Sequence, residues 1–413
     1  MRIKRIGLLL LPLALLPLLA GCRGPQTAVP PSSPEPTLAV SPPLSEEGPA
    51  AGPTQAVSPG PDAAASALPA PGPLLAARFG TTVGGVQSGA EAVRRFVREA
   101  MTGPSGVYTN YLDTEQSAEQ ATGHEVLSES ASLSLRIAAR SGDAAGFAAA
   151  WQTAKATFDR AWGFSYRYSP KLGKAYSVNA AVDDLRLIRA LYEAGEAFED
   201  RSYTREADRY GERLLRYNAP NGELRDFYDG AAGLANGFLT LCYADFRTLL
   251  RLPETAGPKA VAAAALTTVE NGYLSDRFPF YETRYVYGEK QYRSERINTV
   301  ESLLTVLHLT EIGREREASI RFIRERVADG TLYGAYSREG EPLSKVESTA
   351  IYALTALIGA ERKDEELYRN SLNRMKAFQI EDPASPLNGA FGNEPTQEAY
   401  SFDNLMALLA YTY

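Results

Sequence analysis

Apolar residues recur with a helical period along most of the chain. Tyr203, Ala207, Tyr210, Leu214 and Tyr217 fall at i, i+4, i+7, i+11 and i+14, with Arg, Glu and Asp between them. That spacing puts them on one stripe of a solvated helix. Ile320, Ile323 and Val327 repeat the pattern within 314–329, and Tyr368, Leu372 and Met375 within 364–378. Segments 90–102, 143–158 and 258–271 read the same way. A second kind of segment is apolar on nearly every side: 126–140, 178–197, 239–252, 297–311, 346–359 and 400–411. A helix apolar all round is buried all round. Six amphipathic segments alternating with six buried ones predict an all-α fold, an (α/α)6 toroid. In it an outer ring of helices surrounds an inner ring that lines a funnel. An open solenoid would also alternate, but gives no reason to bury six whole helices.

Each buried segment carries an acid near its start: Glu129, Asp184, Asp245, Glu301, Glu347 and Asp403. Acids at helix N-termini interact favourably with the helix dipole, which accounts for some of them. The inner helices of a toroid run parallel, so their starts meet at one mouth. Acids gathered there raise one another's pKa, as a general acid working at neutral pH requires. Glu129 is the leading candidate. It sits in Ser128-Glu129-Ser130, on a segment too apolar for a surface helix. Tyr108, Tyr111, Trp162, Phe164, Tyr166, Tyr168 and the Tyr-rich run from Phe278 to Tyr292 precede such segments. Aromatic rings beside carboxylates suit a sugar, whose faces are apolar and whose edges are hydroxyls.

The totals narrow the partners. The 413-residue chain has a formal charge of -7, against a phosphate-binding surface and hence against nucleic acid. With only His124 and His308 a histidine-rich metal site is not expected, and no cofactor is. The two cysteines, Cys22 and Cys242, make no disulfide framework, and Cys242 reads as a buried inert thiol. Arg2, Lys4 and Arg5 precede an apolar run ending in Leu19-Ala20-Gly21-Cys22. The run is too short, and too broken by Pro12 and Pro17, to span a membrane. Its end resembles the lipobox of bacterial lipoproteins. The resemblance implies cleavage before Cys22, a lipid on its sulfur, and a protein held on the extracytoplasmic face of the cell membrane. Fourteen of the 26 prolines lie between Arg23 and Leu75, with almost no aromatic residue. Such a stretch cannot offset its ordering entropy by burial. The expected organisation is a leader over 1–22, a Pro/Ala-rich spacer over 23–75 and one helical domain over 76–413, acting as a monomer.

The chain from about Ala90 onward resembles glycoside hydrolase family 8, inverting endo-acting enzymes on β-linked glucans, xylans and chitosan. Val126-Leu127-Ser128-Glu129 resembles the stretch carrying the family's proton donor, and departs from it after Glu129. Val182-Asp183-Asp184-Leu185-Arg186-Leu187-Ile188-Arg189-Ala190-Leu191 resembles the second acidic motif. There the resemblance makes Asp184 a sugar-binding acid. Tyr243 falls where the family has a Tyr, and 400–409 resembles its last inner helix. Tyr292-Arg293-Ser294-Glu295-Arg296 resembles a Tyr-Asp-Ala-x-Arg motif. Tyr292 and Arg296 match it. Arg293 stands where the general base belongs, and a guanidinium accepts no proton at neutral pH.

The expected function is therefore an inverting, endo-acting hydrolase of a β-linked polysaccharide. Glu129 is the acid. Glu301 is the first choice of base, ahead of Glu282 and Asp245. Asp184, Tyr243, Asp245, Tyr292, Arg296 and Trp162 are expected to contact the sugar. One alternative is a lipoprotein that binds polysaccharide without cutting it, which Arg293 favours. Another is a polysaccharide lyase, disfavoured by the many acids and few histidines.

Overall fold

The computed structural model describes residues 68–70, 72–75, 79–80, 83–116 and 121–413. The leader, Cys22 and nearly all of the spacer lie outside them. From Pro69 onward the described residues belong to one compact unit. Its edge precedes the expected boundary: Leu74 is buried, and its carbonyl accepts from Arg140 Nη1 at 3.2 Å.

Twelve α-helices occur among the described residues. The first six are α1 (Val86–Ala100), α2 (Ser128–Ser141), α3 (Ala144–Phe158), α4 (Ala181–Ala197), α5 (Arg201–Asn218) and α6 (Phe246–Leu249). Then come α7 (Pro258–Asn271), α8 (Thr299–Thr310), α9 (Glu317–Asp329), α10 (Thr349–Glu361), α11 (Glu365–Lys376) and α12 (Ser401–Ala410). The odd-numbered helices are the amphipathic ones. On α5 the buried face is Ala207, Tyr210, Gly211, Leu214 and Leu215, framed by half-buried Tyr203 and Tyr217. Side-chain caps set several starts: Asp143 accepts from Gly146 N, Asp200 from Ser202 N and Asp364 from Leu367 N.

The even-numbered helices are the apolar ones. On α10 every residue from Thr349 to Ala360 is buried. Each Leu or Ile there contributes roughly 1.5–3 kcal/mol by leaving water. Consecutive even helices touch: α2 packs on α4, α4 on α6, α6 on α8, α8 on α10 and α10 on α12. Then α12 returns to α2, so the circuit of contacts closes. The odd helices pack outside it, with α3 on α2, α5 on α4, α7 on α6, α11 on α10, and α1 on α12.

Several expected spans change: α1 starts at Val86 where 90 was expected, α4 at Ala181 where 178 was, and α9 at Glu317 where 314 was. The segment 239–252 is not one helix. Phe238–Thr240 is a strand, Leu241–Tyr243 a single 3-10 turn, and α6 has only four residues. Asp226 holds Thr240 by its N–H and its hydroxyl, both at 2.6 Å, which keeps the chain extended there. The segment from 346 begins its helix only at Thr349, because Ser348 caps it by accepting from Ile351 N at 3.3 Å. Short antiparallel strand pairs, each joining residues on either side of a helix pair, lie at the starts of two of the inner helices. Val126–Leu127 pairs with Arg167–Ser169, and Ile297–Asn298 with Ala335–Tyr336.

Candidate active site

The site grows from the start of α2. Ser128 N donates to the Tyr166 carbonyl at 3.0 Å, which fixes the first turn against the neighbouring loop. Two glutamates flank that turn, and the structure separates them. Glu125 is fully buried and clamped by Arg167, with Nη2 at 2.7 Å and Nε at 2.9 Å. It is a structural acid. Glu129, one turn on, faces the start of α4. Arg186 Nη1 lies 3.7 Å from its Oε2, too far for a good hydrogen bond. Burial raises its pKa to about 8, helped by the charges of Asp183 and Asp403 and opposed by Arg186.

The acid of α4 beside Glu129 is Asp183, the residue before the expected one. Ser128 Oγ donates to it at 2.9 Å and Arg186 Nη1 at 3.1 Å. Burial pushes its pKa up as well. Asp184 points the other way. It accepts from Asn179 Nδ2 at 2.9 Å and from Phe164 N at 3.3 Å, which ties α4 to the preceding hairpin. Its carboxyl is pushed up to about 7 by burial, away from Glu129.

Across the mouth stand Tyr243, Asp226 and Glu301. Tyr243 is half-buried, and the charges of Asp226, Asp183 and Glu301 all bear on its hydroxyl. Burial raises the Asp226 carboxyl to about 7, with Glu301 adding to the shift and Arg284 opposing it. Glu301, in the first turn of α8, is half-buried and also shifted upward by burial, opposed by Arg284 and Arg296. Asn298 fixes that turn by accepting from Val300 N at 2.9 Å and Glu301 N at 3.3 Å. The mouth therefore brings together Glu129, Asp183, Arg186, Tyr243, Asp226 and Glu301. Asp403 joins from α12, where it accepts from Ala350 N at 3.1 Å.

Other expected site residues lie elsewhere. Asp245 caps α6, accepting from Thr248 N at 2.9 Å and Thr248 Oγ1 at 2.7 Å. Burial alone would raise its pKa, but Arg189 and His308 outweigh it and hold the carboxyl at about 2. It is a structural anion. Tyr292 donates its hydroxyl to the Thr268 carbonyl at 2.6 Å, at the end of α7. Arg296 is exposed and reaches the site only through its charge on Glu301. Glu282 is locked by Ser294 Oγ at 2.6 Å and by the Arg338 guanidinium. Glu347 lies before its helix, bonded to the Tyr352 hydroxyl. Trp162 is half-buried in a hairpin turn, its indole pressed on Gly230 and its ring 6.4 Å from Tyr228. Arg293 is exposed and pairs with Glu289; it ends the second strand of a two-strand ribbon, opposite Arg284, at the end away from the turn.

Asp183, Arg186 and Asp226 are the residues that sequence reasoning passed over. Spacing could have found the first two. Asp183, Arg186, Arg189 and Glu193 fall at i, i+3, i+6 and i+10 on an otherwise apolar helix, and Asp184 lies off that stripe. Asp226 precedes a hairpin and has no such signal.

No family model matches the chain. Among curated proteins, "Putative lipoprotein YdaJ" of Bacillus subtilis strain 168 is 27% identical over 245 residues, 58% of this chain and 66% of that protein. The match thus spans slightly less than two thirds of that relative. A solved structure described as a novel alpha-amylase from Clostridium perfringens is 29% identical. It covers 79% of this chain and 97% of its own, with a TM-score of 0.73. PssZ from Listeria monocytogenes is 21% identical, covers 78% and 94% of the two chains, and gives a TM-score of 0.61. Endoglucanase Cel10 from Klebsiella pneumoniae, a family 8 glycosyl hydrolase, is 14% identical over 77% and 97%, with a TM-score of 0.54. The resemblance to family 8 is met at the level of the fold: this chain shares the all-α fold of those glycosidases.

Proposed function

We propose that the chain is an inverting, endo-acting glycoside hydrolase that cuts a β-linked polysaccharide at the cell surface. The observation that carries the reading is Glu129, a buried carboxyl raised to about 8 at the mouth of the helix ring. Such a group is protonated at neutral pH and can give its proton to a glycosidic oxygen. The C1–O bond then breaks as a water attacks C1 from the opposite face and passes its proton to a base. Glu301 is given that role, since it is half-buried in the first turn of another helix and its charge, like that of Asp183, reaches Tyr243. An inverting pair stands roughly 6.5–9.5 Å apart, with the water between. Asp183 takes the sugar-binding role first given to Asp184, and Tyr243 contributes a hydroxyl beside it.

The twelve helices in this reading are six hairpins of an (α/α)6 toroid. Lipidation of Cys22 tethers the monomer to the membrane, in keeping with the name of the Bacillus relative. A second reading changes only the linkage. The Clostridium structure described as an alpha-amylase favours an α-linked glucan. The non-cutting alternative keeps the support of Arg293, which pairs with Glu289 and supplies no base at the motif position.

The test incubates the purified protein with mixed-linkage β-glucan, xylan, chitosan and soluble starch. New reducing ends from a β-linked polymer support the first reading, and from starch alone the second. Unsaturated ends absorbing in the ultraviolet mean a lyase. Binding with no cleavage of any polymer overturns hydrolysis. If Glu129→Gln cuts as fast as the parent, Glu129 is not the acid.

A further inference from the structure

Outside the acidic mouth lies a cavity of about 270 Å³, between the end of α9 and the loop that follows it. Its floor is aromatic. Phe278 packs edge-on against Phe322 at 5.9 Å and tilted against Tyr336 at 5.2 Å, which braces the floor. Tyr333 extends it, tilted 30° to Tyr336 and half-buried. The rim is polar. The exposed Arg326 guanidinium lies 5.2 Å over the Phe322 ring, and its Nη1 reaches Thr331 Oγ1 at 3.4 Å. Arg277 adds a second donor, and Glu339 and Glu341 supply acceptors. Gly340 lets the backbone close on the floor: its φ is +94°, and a Cβ there would lie 2.8 Å from the Phe278 ring.

This chemistry selects among ligands. A phosphate or nucleotide would meet the two carboxylates. A purely apolar segment would leave both guanidiniums unpaired. A pyranose satisfies both parts, with one apolar face for the rings and equatorial hydroxyls for the arginines and glutamates. The position matters too. Tyr336 pairs with Ile297, and the next residue, Asn298, caps the helix that carries Glu301. The pocket therefore lies one strand pairing away from the start of the helix that carries Glu301.

We propose that this cavity is a second glycan-binding site, which holds sugar units of the same polysaccharide beyond those in the mouth. The proposal rests on the polysaccharide reading of the mouth. Its role is to retain a long chain, not to cut it.

The experiment is affinity electrophoresis of the purified full chain in native gels containing mixed-linkage β-glucan, xylan, chitosan or soluble starch. The parent is compared with the double variant Arg277→Ala/Arg326→Ala and with Tyr333→Ala, each checked for an unchanged circular dichroism spectrum and melting midpoint. The parent is expected to be retarded by at least one polymer. Each variant is expected to bind that polymer about tenfold more weakly and to cleave short oligosaccharides at the parental rate. A parent retarded by no polymer, or variants retarded equally with it, overturns the proposal. The two readings fail separately. Cleavage with equal retardation keeps the hydrolase and removes the pocket. Weakened retardation of the variants with no cleavage keeps the pocket and removes the hydrolase.

Discussion

The same inner helices carry two sets of charges a few turns apart, and the two behave oppositely. At the mouth, Glu129 on α2, Asp183 on α4 and Glu301 on α8 have carboxyls shifted upward, mainly by burial. Deeper in the ring, Arg136 on α2 grips Glu193 on α4 with Nη2 at 3.0 Å, and Arg189 Nε reaches the same carboxylate at 3.2 Å. Arg189 Nη1 lies 2.6 Å from Glu311 and 3.7 Å from Asp245. Burial would raise Glu193 too, but Arg136 and Arg189 outweigh it and lower its pKa. Desolvation is common to both regions; what differs is how closely guanidiniums grip each acid, with direct hydrogen bonds to Glu193 and only a 3.7 Å approach to Glu129. Glu129, opposed by Arg186 alone, can keep its proton at the mouth, whereas Glu193, gripped by Arg136 and Arg189, is a strut.

The largest expected effect is at the mouth. Glu129→Gln keeps the shape and removes the proton. Loss of a general acid costs about 10³-fold in kcat, read as reducing ends released per unit time. Binding of the polymer should persist in the same variant. Next comes the strut. Glu193→Ala leaves Arg136 and Arg189 facing each other in the core, and breaking a buried pair costs about 3–5 kcal/mol. Denaturant melts check it. A Glu193→Ala protein as stable as the parent would erase the distinction between the two regions.

The pH dependence sharpens the comparison further. Glu129 has a folded pKa of about 8 against an ordinary 4.5. The folded state thus holds a proton that the unfolded state has lost, so this group lowers stability as pH rises from about 4.5 to 8. Asp245 is shifted the other way, to about 2 from 3.8. Its contribution is present above 3.8 and disappears as pH falls through 2. Glu129→Gln should therefore be more stable than the parent at pH 9 and closer to it at pH 5, measured as melting midpoints. Asp245→Asn should show the reverse, with its deficit largest above pH 4 and least near pH 2. For the parent enzyme, kcat should fall as pH rises through about 8, where Glu129 loses its proton.

How much of this the sequence held depends on the kind of signal. The alternation of amphipathic and wholly apolar segments carries the helix order, because 3.6-residue periodicity records burial directly. Pro258–Asn271 begins and ends where its pattern does. The site was less legible. An acid at a helix start was read as pointing into the mouth, yet Asp184 and Asp245 turn to Asn179 and Thr248 instead. Which face a side chain takes follows from its place on the polar stripe, not from its distance to the helix start. Asp183 lies on that stripe and Asp184 beside it. Asp226 acts through Thr240, 14 residues on, and a loop contact of that kind leaves no periodic trace.

The smallest expected effect concerns Arg293, which bears most directly on whether a base is missing. By motif it occupies the base position, and in the structure it bonds only Glu289, four residues before it, with both side chains about half exposed. An exposed pair of that kind contributes roughly 0–1 kcal/mol. Arg293→Ala should leave the melting midpoint and polysaccharide cleavage within about twofold of the parent, by the weakness of such pairs. Arg293→Asp, which restores the motif's residue, should create no added activity, since the side chain there is exposed and turned to Glu289. A large gain from Arg293→Asp would move the base to the hairpin and take Glu301 out of the mechanism. No gain, together with a loss of about 10²-fold or more in Glu301→Gln, would leave the base where α8 presents it.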